Sequence, residues 1–233
     1  MSPNAEHAGI SMSGETKRKL THLLALILPV GIILFGGRTV FLILLPVTSV
    51  ALAADIMRAR SASFSRLIRS IFGSMMRDQE IPEIGKPAVL NGATWTLLSM
   101  TMLLLIFPAP LAVLGYSLAM IGDAFAAIIG RTWGKHSWGK LGRPGCTLEG
   151  SLAYLVSASG TVFLLGGGAL ISFSPYSLPL IPLFAASVIA ALVEVFPLPG
   201  NDNINAPIFA ALSMMLIFNS FYGFSYSFFP LVF

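Results

Sequence analysis

Long apolar runs separated by short polar connections dominate the pattern of this chain. Taking about 17–25 predominantly apolar residues as the length of a membrane-spanning helix, the pattern predicts about seven such helices. They cover residues 20–35, 39–54, 89–107, 111–130, 149–173, 178–196 and 204–221. Only Gly36, Gly37 and Arg38 separate the first two, and the glycines at 166–168 are expected to loosen or kink the fifth. The pattern therefore predicts an all-α polytopic membrane protein.

The polar segments divide the chain further. Residues 1–14 are polar and are expected to form a disordered tail, followed by a single transmembrane domain over 15–233. The longest polar connection, 55–87, contains apolar residues at helical spacing, which predict an amphipathic helix: Phe64, Leu67, Ile68, Ile71, Phe72 and Met75. Such a helix lies either on the anionic inner leaflet of the membrane or against the rest of the protein. Asp55, Arg58 and Glu80 flank it.

Composition agrees with this class. The 233 residues are 55% hydrophobic and only 10% charged, with a mean hydropathy of +0.83, which excludes an ordinary soluble domain. The single cysteine, Cys146, excludes an internal disulfide framework. No convincing internal repeat is present, so an inverted-repeat transporter finds no support.

The basic residues predict the orientation. Of the 14 Lys and Arg residues, all but Arg38 precede the first helix or lie between helices two and three or four and five. Positive charge favours the cytoplasmic side, so the N-terminus and these connections are expected to be cytoplasmic. The protein is then a multi-pass membrane protein, in the cell membrane if the source is prokaryotic.

Four acidic residues near helix ends predict a site on the same side. Asp123 lies inside the fourth helix, Glu149 begins the fifth, Glu194 nears the end of the sixth, and Asp202 follows it. An aspartate at the centre of a spanning helix costs about 2.5–3.5 kcal/mol on insertion scales, which a bound cation would offset. Alternatively, Asp123 pairs with a buried arginine, and the negative charge of Glu149 stabilises the first turn of its helix through the helix dipole.

Basic groups and glycines surround these acids. The loop between helices four and five carries Arg131, Lys135, His136, Lys140 and Arg143. Acids that face mobile basic groups and a glycine-rich backbone suit a magnesium-bound phosphate. Arg18 and His22, four residues apart, share one helix face at the start of the first helix, where His22 has either a structural or a site role.

Small residues and caps predict how the helices meet. Gly122, Ala126 and Gly130 recur at four-residue spacing, which lets another helix backbone approach closely. Thr147 is predicted to cap the fifth helix. In the turn before the seventh helix, Asn203 or Asn205 is the expected cap.

Four motifs in this order resemble the CTP-dependent membrane lipid kinases, namely dolichol kinase, phytol kinase and CTP-dependent diacylglycerol kinase. They are E-x2-R-K-x2-H (Glu15 to His22), G-D-x3-A-x2-G-R-x2-G-K-H (Gly122 to His136), T-x-E-G-S (Thr147 to Ser151) and E-x7-D-N-x3-P (Glu194 to Pro207). The family shares the middle pattern with CTP:phosphatidate cytidylyltransferases, which make CDP-lipids and are the first alternative. Cys146 stands where the family usually has a lysine, so Lys140 or Arg143 is expected to supply that phosphate contact.

The resemblance implies transfer of the γ-phosphate of CTP to the hydroxyl of a membrane lipid alcohol, a reaction that depends on positioning and charge neutralisation. Glu149 favours a polyprenol (dolichol) or diacylglycerol acceptor over phytol. The implied catalytic residues are Asp123, Glu149, Glu194 and Asp202, and the implied Mg²⁺ ligands are Asp123, Asp202 and Glu149. The implied nucleotide-binding residues are Arg18, Lys19, His22, Arg131, Lys135, His136, Lys140 and Asn203.

The implied partners are CTP, a lipid alcohol and the bilayer, with no nucleic acid and with homo-oligomerisation left open. A small-solute transporter is the second alternative. It is disfavoured because its ionisable residues are expected near the bilayer midplane, whereas these acids cluster at one membrane face.

Overall fold

The computed structural model describes residues 23–73, 76, 80–166 and 179–230. Within these residues the protein is all-α, with eight helices and no strand. The helices are α1 (Ile27–Phe35), α2 (Gly37–Arg60), α3 (Ala62–Phe72), α4 (Gly92–Ile106), α5 (Ala109–Trp133), α6 (Leu148–Gly166), α7 (Leu180–Val195) and α8 (Asp202–Phe221). A short 3₁₀ helix, Gly139–Leu141, lies between α5 and α6.

The helices follow the predicted order, and α3 is the predicted amphipathic helix. In the described part of the chain, four helices are long and apolar enough to cross a membrane: α2, α5, α6 and α8. The apolar helices α4 and α7 have 15 and 16 residues, and α1 has nine. The protein is therefore a membrane protein, while seven spans and a cytoplasmic N-terminus stay predictions. The predicted tail, 1–14, lies outside the described residues.

The second helix is longer than predicted. We expected it to end at residue 54, but α2 continues to Arg60, and the Ser61 hydroxyl then caps α3 by accepting a 3.3 Å hydrogen bond from the backbone N–H of Phe64. Asp55 and Arg58 thus belong to a helix rather than to the polar connection. They are buried as an ion pair, which explains why charged residues continue an otherwise apolar helix.

Helix α5 occupies the centre of the bundle. All residues from Leu111 to Met120 are buried, and α5 contacts α1, α4, α6, α7 and α8. At Gly115 the backbone of α8 comes so close that an added Cβ would lie 2.8 Å from the Pro207 carbonyl oxygen. The acidic residue on α5, Asp123, is therefore carried by the most enclosed helix of the described bundle.

The predicted small-residue face of α5 is confirmed. An added Cβ on Gly150 of α6 would lie 3.0 Å from the Ala126 carbonyl oxygen and 3.3 Å from the Gly130 Cα. The two backbones approach closely because neither helix has a large side chain at this crossing. This crossing fixes the start of α6, which carries Glu149, against the end of α5.

Candidate functional site

The connection between α5 and α6 folds back over the start of α6. Ser137 and Thr147 form an isolated antiparallel bridge, and the backbone N–H of Leu148 donates to the His136 carbonyl at 2.8 Å. The indole N–H of Trp138 donates to the Ser151 hydroxyl oxygen at 2.8 Å. Three of the residues predicted to bind a nucleotide, Lys135, His136 and Lys140, therefore lie on a loop that is held against the start of α6.

The first turn of α6 places Glu149 against this loop. The backbone N–H of Gly150 donates to the Thr147 hydroxyl oxygen at 3.1 Å, so the predicted cap is confirmed. The carboxylate of Glu149 lies 2.6 Å from Nδ1 of His136 and accepts a 3.3 Å hydrogen bond from the His136 backbone N–H. The structure thus brings together a predicted catalytic residue and a predicted nucleotide-binding residue.

Arg143 joins the loop to the turn between α7 and α8. Its backbone N–H donates to the Val195 carbonyl at 2.9 Å, and its guanidinium donates to the carbonyls of Phe196 (3.0 Å) and Val193 (3.3 Å). The same guanidinium forms an ion pair with Asp202. We expected Lys140 or Arg143 to supply a phosphate contact, but in this structure Arg143 binds carbonyls at the end of α7.

The charges of three of the four predicted acids act on Cys146. Its thiol lies 3.9 Å from the Glu194 carbonyl oxygen. Burial raises the pKa of the Cys146 thiol, the charges of Glu194, Asp202 and Asp123 raise it further, and Arg143 opposes them. Three carboxylates from α5, α7 and α8 are therefore close enough to act on one thiol.

Tyr154 is a residue of this cluster that the sequence did not reveal. It is 1% exposed, and its ring packs on Gly122, where an added Cβ would lie 2.6 Å from the ring. Its hydroxyl has no hydrogen-bond partner among the described residues, and the charges of the same three acids act on it. A tyrosine inside an apolar helix gives no signal by itself, so only the packing identifies it.

The other predicted residues fall into two groups. Arg131, Lys135 and Lys140 are exposed on or beside the loop, whereas Arg18, Lys19 and His22 lie outside the described residues. Asn203 occupies the first turn of α8, and its backbone N–H donates to the Asn201 side chain at 3.0 Å. The cap of α8 is therefore Asn201, and the expectation of Asn203 or Asn205 was wrong.

The acids suit magnesium only in combination with other ligands. Within the described part of the chain, no group of three or more His, Cys, Asp or Glu side chains is arranged to hold a metal ion. Protein-bound Mg²⁺, however, commonly takes one or two carboxylates, with substrate phosphates and water completing its shell. Carboxylates such as Asp123 and Asp202 fit that chemistry, and the metal roles of Asp123, Asp202 and Glu149 stay predictions.

A second polar cluster lies between α2 and α4. Asp55 is fully buried and Arg58 is 2% exposed, and their side chains meet at 2.5 Å. The carboxylate also accepts hydrogen bonds from the backbone and side-chain N–H groups of Asn91, at 3.0 and 2.8 Å. Arg58 donates to the Glu80 carbonyl at 2.7 Å. These contacts fasten both ends of the 80–91 segment to α2.

Comparison with known proteins gives two distant relatives. A protein of Rickettsia prowazekii, named only as uncharacterized, is 25% identical over 202 residues, covering 85% of this chain and 92% of that protein. The CTP-dependent diacylglycerol kinase 1 of Schizosaccharomyces pombe is 28% identical over 174 residues, covering 72% of this chain and 76% of the kinase. No family model and no solved structure matches the chain. The chain is therefore similar to a CTP-dependent diacylglycerol kinase over most of its length.

Proposed function

We propose that this protein is a CTP-dependent kinase that transfers the γ-phosphate of CTP to the hydroxyl of a membrane lipid alcohol. The observation that supports the proposal is that the charges of Asp123, Glu194 and Asp202, carried by α5, α7 and α8, all act on the thiol of Cys146 in the connection between α5 and α6. Like charges are costly to gather in a partly buried place, and a cation with bound phosphates would offset that cost. The similarity to a CTP-dependent diacylglycerol kinase supports the same reaction.

The acidic and basic side chains would have different roles in this reaction. Asp123 and Asp202 would hold Mg²⁺, which when bound neutralises phosphate charge. Asp202 would exchange part of its contact with Arg143 for the cation. The exposed basic residues of the loop, Lys135 and Lys140, reach the triphosphate from the aqueous side. The nucleotide-binding set is completed by Arg18, Lys19, His22, Arg131, His136 and Asn203.

The acceptor hydroxyl needs a base. Glu194 and Glu149 are the two candidates, and Glu149 already lies 2.6 Å from His136. We therefore assign Glu194 to accept the hydroxyl proton while Glu149 positions His136 and the loop. The lipid oxygen forms a bond to the γ-phosphorus, the bond from that phosphorus to the β-phosphate oxygen breaks, and CDP leaves. Both substrates would meet at the cytoplasmic membrane surface.

The products formed from CTP distinguish a kinase from a cytidylyltransferase. The purified full-length protein is incubated in micelles with Mg²⁺, γ-labelled CTP and either diacylglycerol or a polyprenol. We expect labelled lipid monophosphate and one CDP for each lipid phosphorylated. Release of pyrophosphate with phosphatidate as substrate would instead identify a cytidylyltransferase, and failure to transfer label to any lipid alcohol would contradict the proposal.

A further inference from the structure

A cavity of about 490 Å³ lies between α1, α2, α3 and α4. This volume is within the range of about 300–1,000 Å³ typical of small-molecule sites. Its walls are mainly apolar, and they include Leu28, Ala51, Ala54, Ile68, Thr94 and Leu97. None of these residues belongs to the group of acids whose charges act on Cys146.

Two of the three charged residues that line the cavity, Asp55 and Arg58, are already paired with each other. Asp55 is held by Arg58 and Asn91, and Arg58 also binds the Glu80 carbonyl. A ligand with a net charge would have to break this buried network, which is costly. The cavity therefore favours an uncharged ligand that is mostly apolar.

One buried hydroxyl that lines the cavity has no hydrogen bond within the described part of the chain. Thr94 lines the cavity and is 1% exposed, and its hydroxyl has no hydrogen-bond partner among the described residues. A buried hydroxyl without a partner loses the hydrogen bonds that it would make to water. A ligand with a hydroxyl or ester oxygen would offset that loss.

The edge of the cavity is apolar and open to the surroundings. Ile27 and Phe72 line it and are 72% and 46% exposed. In a membrane protein such side chains are suited to contact with lipid chains, so a lipid can enter from the bilayer without crossing a polar surface.

The helix register places the cavity and Asp123 toward the same end of the bundle. The Tyr116 hydroxyl of α5 lies 3.5 Å from the Thr96 carbonyl oxygen of α4, and the two helices follow each other through a short turn. At about 1.5 Å per residue, Asp123 lies roughly 10 Å beyond Tyr116. Asn91 lies about 7–8 Å from Thr96 in the same direction.

From this geometry we infer that the cavity binds a hydrocarbon chain of the lipid alcohol, with the Thr94 hydroxyl bonded to an oxygen near its polar end. The inference rests on the proposed kinase function for the identity of the lipid. It assigns binding of the acceptor to α1, α2, α3 and α4. These helices carry none of Asp123, Glu149, Glu194 or Asp202.

Photolabelling tests the site without requiring catalysis. The full-length protein in phosphatidylcholine vesicles is irradiated with a diacylglycerol that carries a diazirine on its acyl chain, and labelled peptides are mapped. Ala54→Leu and Ala51→Leu fill the cavity, whereas Ala53→Leu adds the same atoms to an exposed position on the same helix. Thr94→Val keeps the branched shape of the side chain and replaces its hydroxyl with a methyl group, so the variant is expected to bind less probe while unfolding no more easily.

We expect label on α2 and α4 that unlabelled diacylglycerol displaces, that Ala54→Leu and Ala51→Leu abolish, and that Ala53→Leu leaves intact. In the phosphate-transfer assay, the two cavity variants should raise the KM for lipid roughly tenfold or more and leave the KM for CTP unchanged. Label that none of the variants alters would overturn the lipid site even if the wild-type protein phosphorylates diacylglycerol. If the cavity carries displaceable label but the protein transfers no phosphate, the result would support the lipid site and contradict the proposed kinase function.

Discussion

The buried pair of Asp55 and Arg58 allows a quantitative prediction. The carboxylate accepts hydrogen bonds from Arg58 and from the backbone and side chain of Asn91, and neither charged side chain is more than 2% exposed. Asp55→Asn keeps the shape, removes the charge and turns one acceptor into a donor that faces other donors. Because removing one partner of a buried pair leaves an uncompensated charge, we expect the free energy of unfolding to fall by about 3–5 kcal/mol.

An exposed pair supplies the matched control. Lys86 and Glu83 meet at the same 2.5 Å and the same i,i+3 spacing, but their side chains are 64% and 71% exposed. Exposed ion pairs contribute about 0–1 kcal/mol, so Glu83→Gln should change stability very little. Both variants are compared by equilibrium chemical unfolding in detergent micelles.

A double variant measures the interaction between Asp55 and Arg58 apart from the interactions of each residue with its surroundings. Asp55→Asn combined with Arg58→Met removes both charges, so it should be less destabilised than the sum of the two single variants. Equal losses for Asp55→Asn and Glu83→Gln, or strictly additive effects in the double variant, would show that burial does not govern this pair.

Three further outcomes follow from packing, charge and topology. Gly122→Ala should cost about 1–3 kcal/mol of unfolding free energy because its Cβ meets the buried Tyr154 ring, whereas Gly160→Ala, with nothing within 4 Å, should be neutral or stabilising. Burial and the charges of nearby carboxylates hold the pKa of the Cys146 thiol above its ordinary value, so its alkylation by iodoacetamide should need a higher pH than that of glutathione, and folding stability should fall as the pH rises through the raised pKa. Alkylation as fast as that of glutathione at every pH would contradict this environment. Lys140→Cys in a Cys146→Ser background should be labelled by an impermeant maleimide only from the cytoplasm, and labelling from outside would reverse the orientation.

Local signals predicted the parts of the fold that depend on neighbouring residues. The order of the apolar helices, the amphipathic α3, the Thr147 cap and the small-residue face of α5 each depend on spacing within about one or two helical turns. The structure confirms them because helix periodicity and capping act over that distance.

The missed features depend on residues far apart in the chain. Arg143 binds carbonyls about 50 positions later, and Asp55 continues α2 because Asn91, 36 positions away, helps to hold its carboxylate. Tyr154 joins the acid cluster through the absence of a side chain on Gly122. The periodicity of a segment carries no information about such partners, so these roles required the tertiary structure.

If Asp123 helps to hold magnesium and nucleotide phosphates, its carboxylate should be needed for phosphate transfer but not for folding. Transfer of γ-phosphate from CTP to diacylglycerol and thermal unfolding are measured on the same preparations of wild-type and Asp123→Asn protein. The substitution keeps the shape and removes the charge that binds the cation, so activity should fall by orders of magnitude while thermal stability changes little. Near-normal CTP turnover, or a loss of about 3–5 kcal/mol typical of a broken buried ion pair, would contradict the claim.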